Sequence, residues 1–89
     1  MIERPVVIVN KLGLHARAAA KLVSTASAYG SNIQIRRNSQ EVNGKSIMGV
    51  MMLAASKGTE LLLRVDGEDE DAAVAALEAL IAARFGEAE

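Results

Sequence analysis

The sequence predicts an α+β fold: one four-stranded antiparallel sheet with three helices on a single face, in the order βαββαβα. Three observations lead there. Short β-branched or alternating runs recur around Val6–Val9, Ile33–Ile35, Val42 and Leu61–Val65, too few and too short to close a barrel. Three stretches between and after them carry apolar residues at helical spacing, and each such stripe needs an apolar surface to cover. One sheet with all its helices on one side satisfies both demands in two layers.

The elements follow in order. Pro5 and the β-branched run Val6 to Val9 read as the first strand, and Asn10 to Gly13 as the loop that ends it. From Ala16 to about Tyr29, Ala19, Leu22, Val23 and Ala26 mark one helical face, with Gly30 placed as a C-terminal stop. Ile33 and Ile35 alternate with polar neighbours, and Asn38, Ser39 and Gln40 turn the chain into a partner strand around Val42. Ser46 is a natural N-cap for a short Met-rich helix over Ile47 to Ala55, which Lys57 and Gly58 end. Leu61, Leu63 and Val65 form the last strand. Beyond Asp66 and Gly67, the acids Glu68 to Asp71 suit a helix N-terminus. The stripe Ala73, Val74, Leu77, Leu80 and Ile81 continues that helix, with Arg84 near its end and Gly86 just beyond.

At 89 residues the chain is expected to be a single domain over residues 1–89. Apolar residues make up 51% of it and charged residues 24%, which argues for a packed core and against a disordered adaptor. There is no cysteine, so disulfides and thiolate metal sites are excluded and a reducing, cytoplasmic setting is expected. No run is long enough for a signal segment or a membrane span. A net charge of -1 and only two aromatics, Tyr29 and Phe85, argue against a nucleic-acid binder. Basic residues gather in the first half (Lys11, Arg17, Lys21, Arg36, Arg37, Lys45), so that half suits an acidic partner.

The only histidine, His15, stands between a glycine turn and the first turn of a helix. Backbone N–H groups there have no helical partner, and with the helix dipole they favour an anion. Imidazole is a nucleophile whose protonation changes near neutral pH, suited to taking and releasing a phosphoryl group. Arg17 offers a planar guanidinium for phosphate oxygens. Residue chemistry by itself leaves a second reading open, in which His15 is an ordinary surface histidine and Arg17 a solvated charge.

The run NKLGLHARAAAKL, Asn10 to Leu22, resembles the phosphohistidine motif of the HPr family, usually G-[LI]-H-[AT]-R-P. Gly13, Leu14, His15, Ala16 and Arg17 match, and Ala18 replaces the usual proline with another good first-turn residue. The resemblance covers nearly the whole chain. It implies an HPr-like open-faced sandwich and a carrier without turnover of its own, with phosphohistidine at His15 and phosphate stabilisation by Arg17. It also implies Enzyme I as donor and an enzyme IIA-type protein as acceptor. No cofactor and no metal are implied, and the working state is expected to be a monomer, since each partner must reach the same face.

Gly44, Lys45 and Ser46 look like the end of a P-loop, but such a loop needs a glycine five residues before Gly44, where Ser39 stands. Ser46 is an N-cap on structural grounds. The segment NGKSIMGVMMLAA, Asn43 to Ala55, is also similar to the regulatory serine region of HPr proteins that serve an HPr kinase/phosphorylase. The same resemblance implies a partner surface of Leu14, Ala16, Ala20, Lys21, Ser24, Ile47, Met48 and Met51. Ile47, Met48, Met51 and Met52 cannot all face inward on so short a helix, and flexible thioethers suit a surface that meets several partners.

Two rival readings of the same residues remain. A regulatory module of the same fold that transfers no phosphate predicts loss of the histidine, which is retained. A small enzyme using His15 as base or nucleophile needs further catalytic groups, and none lies near His15 in sequence.

Overall fold

The computed structural model describes residues 1–89. Its elements are β1 (Ile2–Val7), α1 (Ala16–Ser27), β2 (Asn32–Arg37), β3 (Gln40–Asn43), α2 (Ile47–Met52), β4 (Glu60–Asp66) and α3 (Glu70–Ala82), followed by a short turn over Arg84–Gly86. The strands form one sheet in the order β1-β4-β2-β3, every neighbouring pair antiparallel. No helix is long and apolar enough to cross a membrane.

The two-residue period decides which face is covered. In the register Ile33 lies opposite Val65 and Ile35 opposite Leu63, while Val6 lies opposite Leu61. All six are buried, and the residues between them point the other way, toward Glu3, Arg64 and Glu41, which pair across the open face at 2.8 Å. Leu22 and Ala26 of α1, Val50 of α2 and Val74, Leu77 and Ile81 of α3 close the covered face. Twenty buried residues form a single cluster, so the chain has one core. Each fully buried Leu, Ile or Val contributes about 1.5 to 3 kcal/mol.

Several boundaries differ from the sequence reading. β1 runs over Ile2–Val7 rather than from Pro5 to Val9; it starts earlier because it is an edge strand, where Pro5, lacking an N–H, is tolerated inside it. Ile8 is still held, its N–H reaching Thr59 O at 3.0 Å. α1 ends at Ser27, and its last amides tighten into i→i−3 bonds from Ala28 and Tyr29. Gly30 is not a left-handed stop: its N–H donates to Asp69 Oδ2 at 2.9 Å. α2 ends at Met52 rather than Ala55, because Ala54 adopts φ 50° and reverses the chain. Arg37 Nη1 satisfies the carbonyls of Leu53 and Ala54 there. Leu80, placed on the buried stripe of α3, is only half-buried at the rim of the core.

Asp69 ties two ends of the fold together. Its carboxylate accepts the Ser31 hydroxyl and the backbone N–H groups of Gly30 and Ser31. The Ser31 hydroxyl first, then the Gly30 amide, hold its pKa below the ordinary aspartate value. Depressed in the folded state, the group contributes stability above the unfolded value of about 3.9 that is lost as pH falls through the folded one. Asp69→Asn is therefore expected to be less stable than the native chain at pH 7, with the gap narrowing toward pH 3, as urea titrations at both pH values would show.

Ser46 caps α2 as the sequence predicts, its Oγ accepting Gly49 N–H at 3.2 Å. Ser46→Ala should cost about 1 kcal/mol in urea unfolding and leave the fold unchanged.

Candidate functional site

The loop before α1 is fixed by backbone contacts and by one buried side chain, Asn10, whose Nδ2 donates to Gly13 O at 2.8 Å. Leu14 N–H donates to Ala55 O at 2.8 Å, and Gly13 N–H to Asn10 O at 3.2 Å. Gly13 sits at φ 66°, and a Cβ there would lie 2.4 Å from Ala55 O and 2.8 Å from Ser56 Cα. Only glycine lets the loop approach the segment after α2 so closely. This contact delivers His15 to the N-cap of α1, with φ −69° and ψ 175°. Its carbonyl accepts Ala19 N–H at 2.8 Å, and the N–H groups of Ala16, Arg17 and Ala18 find no acceptor within the protein. No acidic side chain occupies that first turn. The site therefore presents free donors and the positive end of a helix, as the sequence reading expects.

The imidazole gains a partner that the sequence does not announce. His15 Nε2 lies 2.5 Å from Glu87 Oε2, 72 residues away along the chain. Glu87 Oε1 accepts Asn10 Nδ2 at 3.0 Å. The Asn10 hydrogen bond first, then that of His15, pull the Glu87 pKa below its ordinary value against the desolvation that opposes them. The carboxylate is ionised at neutral pH and can only accept, so Nε2 carries the proton and Nδ1 is left with its lone pair when the ring is neutral.

Glu87 reaches His15 because the chain reverses after α3. Arg84, Phe85 and Gly86 adopt φ 57°, 55° and 80° in succession, a left-handed turn. For each of the two non-glycine residues that conformation costs about 1 to 2 kcal/mol. Burial of the Phe85 ring, 1% exposed, offsets it with about 1.5 to 3 kcal/mol. Lys21 Nζ donates to Phe85 O at 2.6 Å. Arg84, read from the sequence as a cation on the end of α3, instead belongs to this turn. The tail then runs back along the loop, with Lys11 N–H on Glu89 O at 3.0 Å and Lys11 Nζ on Glu89 Oε2 at 3.2 Å.

The result is a cleft of about 420 Å³ lined by Lys11, Leu12, His15, Arg17, Glu87, Ala88 and Glu89. Arg17 stands at its edge, exposed and without a carboxylate partner. Of the surface expected around it, Ala16, Ala20, Lys21 and Ser24 of α1 are exposed, as are Ile47, Met48 and Met51 of α2. Met48 and Met52 are 71% and 65% exposed, so these methionines do not fill the core. Leu14 is the exception. It is 5% exposed and belongs to the core, because the Leu14–Ala55 hydrogen bond turns its side chain inward.

A family model described as the PTS HPr component phosphorylation site matches residues 2–83. The chain belongs to the HPr family. It is a phosphocarrier of the phosphotransferase system, and its open-faced sandwich is the HPr fold. HPr phosphocarrier proteins of Xylella fastidiosa and Cupriavidus necator are each 55% identical to it, over 98% and 100% of both chains respectively. A crystal structure of HPr from Thermoanaerobacter tengcongensis superposes with a TM-score of 0.96 at 46% identity, covering 100% of both chains. A dimer of HPr from the same organism superposes at 0.79, with 47% identity over 98% of this chain and 100% of that one. Glu87 lies beyond the residues that the HPr family model matches.

Proposed function

We propose that this HPr-family protein accepts a phosphoryl group on Nδ1 of His15 from phospho-Enzyme I and passes it to an enzyme IIA-type acceptor. The observation that carries this reading is the contact between His15 Nε2 and Glu87. With Nε2–H held by a carboxylate, the Nδ1 lone pair is the nucleophile. It attacks phosphorus as the bond from phosphorus to the donor breaks, and the ring gains positive charge that Glu87 balances. The reverse step follows the same path. A nucleophile of the acceptor attacks phosphorus, the bond to Nδ1 breaks, and the ring returns to its neutral Nε2–H form.

The unpaired N–H groups of Ala16, Arg17 and Ala18 favour the phosphate, and the Arg17 guanidinium supplies paired hydrogen bonds to its oxygens. His15 and Glu87 form a dyad that a hydrolase would also use, but the other carboxylate lining the cleft, Glu89, is exposed and paired with Lys11 at 3.2 Å rather than set to activate water. The protein is a carrier without turnover of its own, working in the cytoplasm as a single folded domain and as a monomer. Ala16, Ala20, Lys21 and Ser24, with Ile47, Met48 and Met51, make up the docking surface. Ser46 is a regulatory phosphosite for an HPr kinase/phosphorylase. Charge added at the start of α2 suits the helix dipole and leaves the fold intact, while it weakens docking on the adjoining methionines.

The test is phosphoryl flow. Phosphoenolpyruvate and Enzyme I should give the protein one acid-labile phosphoryl group, detected by mass, that disappears when a matched IIA acceptor is added. A protein that takes no label from an active Enzyme I would point instead to a regulatory module without transfer.

A further inference from the structure

Asn10 is completely buried, 0% exposed, and its amide Oδ1 has no hydrogen-bond partner. An orphaned buried acceptor is unfavourable, so the side chain must return something that a smaller residue would not. Its Nδ2 spans two acceptors, Gly13 O at 2.8 Å and Glu87 Oε1 at 3.0 Å. Reversing the amide would set its oxygen against a carbonyl and a carboxylate, so the orientation is fixed by its neighbours. One donor pins the loop that delivers His15, and the other pins the carboxylate that holds the His15 ring. Loop and tail are thereby joined through one side chain, at the point where the strained turn of Arg84–Gly86 brings the tail back.

We propose that Asn10 is a positioning residue for phosphoryl transfer: by clamping Glu87 to the Gly13 loop it keeps the His15 imidazole oriented as its Nε2–H tautomer. The proposal rests on the reading of His15 as the acceptor. Asn10 touches neither the reacting nitrogen nor the phosphate and acts only through Glu87.

The experiment is a double-substitution cycle read on the ring itself. Asn10→Ala, Glu87→Gln and the double variant are compared with the native protein by ¹⁵N NMR of the two His15 ring nitrogens. Backbone amide spectra establish that each is folded. Each single variant should move both ring nitrogens toward the values of an unrestrained imidazole, and the double variant should move them no further, because one clamp has been broken twice. The kcat for phosphorylation by Enzyme I should fall about tenfold in Asn10→Ala, with KM for the carrier unchanged, since the docking surface is untouched. Ring nitrogens of Asn10→Ala at their native positions, or additive shifts in the double variant, overturn the proposal. If Asn10→Ala does not fold, the native protein decides: the Asn10 side-chain amide and the His15 Nε2 resonances should shift with one shared midpoint as Glu87 titrates, and separate midpoints overturn it. A native protein that takes no label from Enzyme I overturns the carrier reading together with the kinetic expectation. Normal labelling with unmoved ring nitrogens in Asn10→Ala overturns the role of Asn10 alone.

Discussion

His15→Ala is expected to fold normally and to take up no acid-labile phosphoryl group at any concentration of Enzyme I, a complete loss rather than a slowing. The histidine is unique in the chain, and the cleft around it otherwise holds only cations, carboxylates and apolar side chains, none of which replaces an imidazole as a reversible nucleophile. The fold survives because the side chain makes no capping hydrogen bond to α1 and lies outside the core. The contact the variant loses is the hydrogen bond to Glu87, which lies at the cleft and not in the core. Mass spectrometry after incubation with phosphoenolpyruvate and Enzyme I, alongside a urea titration, separates the two effects. A labelled, folded His15→Ala chain would move the acceptor elsewhere.

Gly13→Ala is expected to lower stability sharply. The new Cβ meets the carbonyl oxygen of Ala55 at 2.4 Å and the Cα of Ser56 at 2.8 Å, backbone atoms that cannot rotate away. The left-handed φ adds about 1 to 2 kcal/mol, and overpacking adds about 1 to 3 kcal/mol. For a domain of this size each kcal/mol lowers Tm by about 4 to 8 °C. The melting temperature should therefore fall by roughly 8 to 40 °C. Breaking the Leu14–Ala55 contact also releases His15 from the helix N-terminus, so phosphorylation by Enzyme I should slow below the unfolding transition too. A variant that melts with the native protein would show that the loop does not depend on that approach.

The contrast between what local patterns revealed and what they hid has a physical basis. Period-two alternation in Ile33–Ile35 and Leu61–Val65, and the stripe through Ala73, Val74, Leu77 and Ile81, record burial directly, so the sheet, the three helices and the covered face were legible. So were the cap at Ser46 and the placement of His15 and Arg17 at a helix start, which are local events. The end of α2 was not, because alanine carries no signal for the left-handed turn that Ala54 adopts. The inward turn of Leu14 was equally silent, being set by a hydrogen bond to Ala55 across the fold. Glu87 and Asn10 were missed for the same reason. They meet His15 only because three successive left-handed residues fold the tail over the site, and two of those three, Arg84 and Phe85, are types that rarely take that conformation.

The most direct test is to phosphorylate the ring-labelled protein through Enzyme I and identify by ¹⁵N and ³¹P NMR which atom bears the phosphorus. Glu87 on Nε2 predicts a single phosphorus–nitrogen bond at His15 Nδ1, with Nε2 still protonated. Phosphate on Nε2, or on any side chain other than His15, would contradict it.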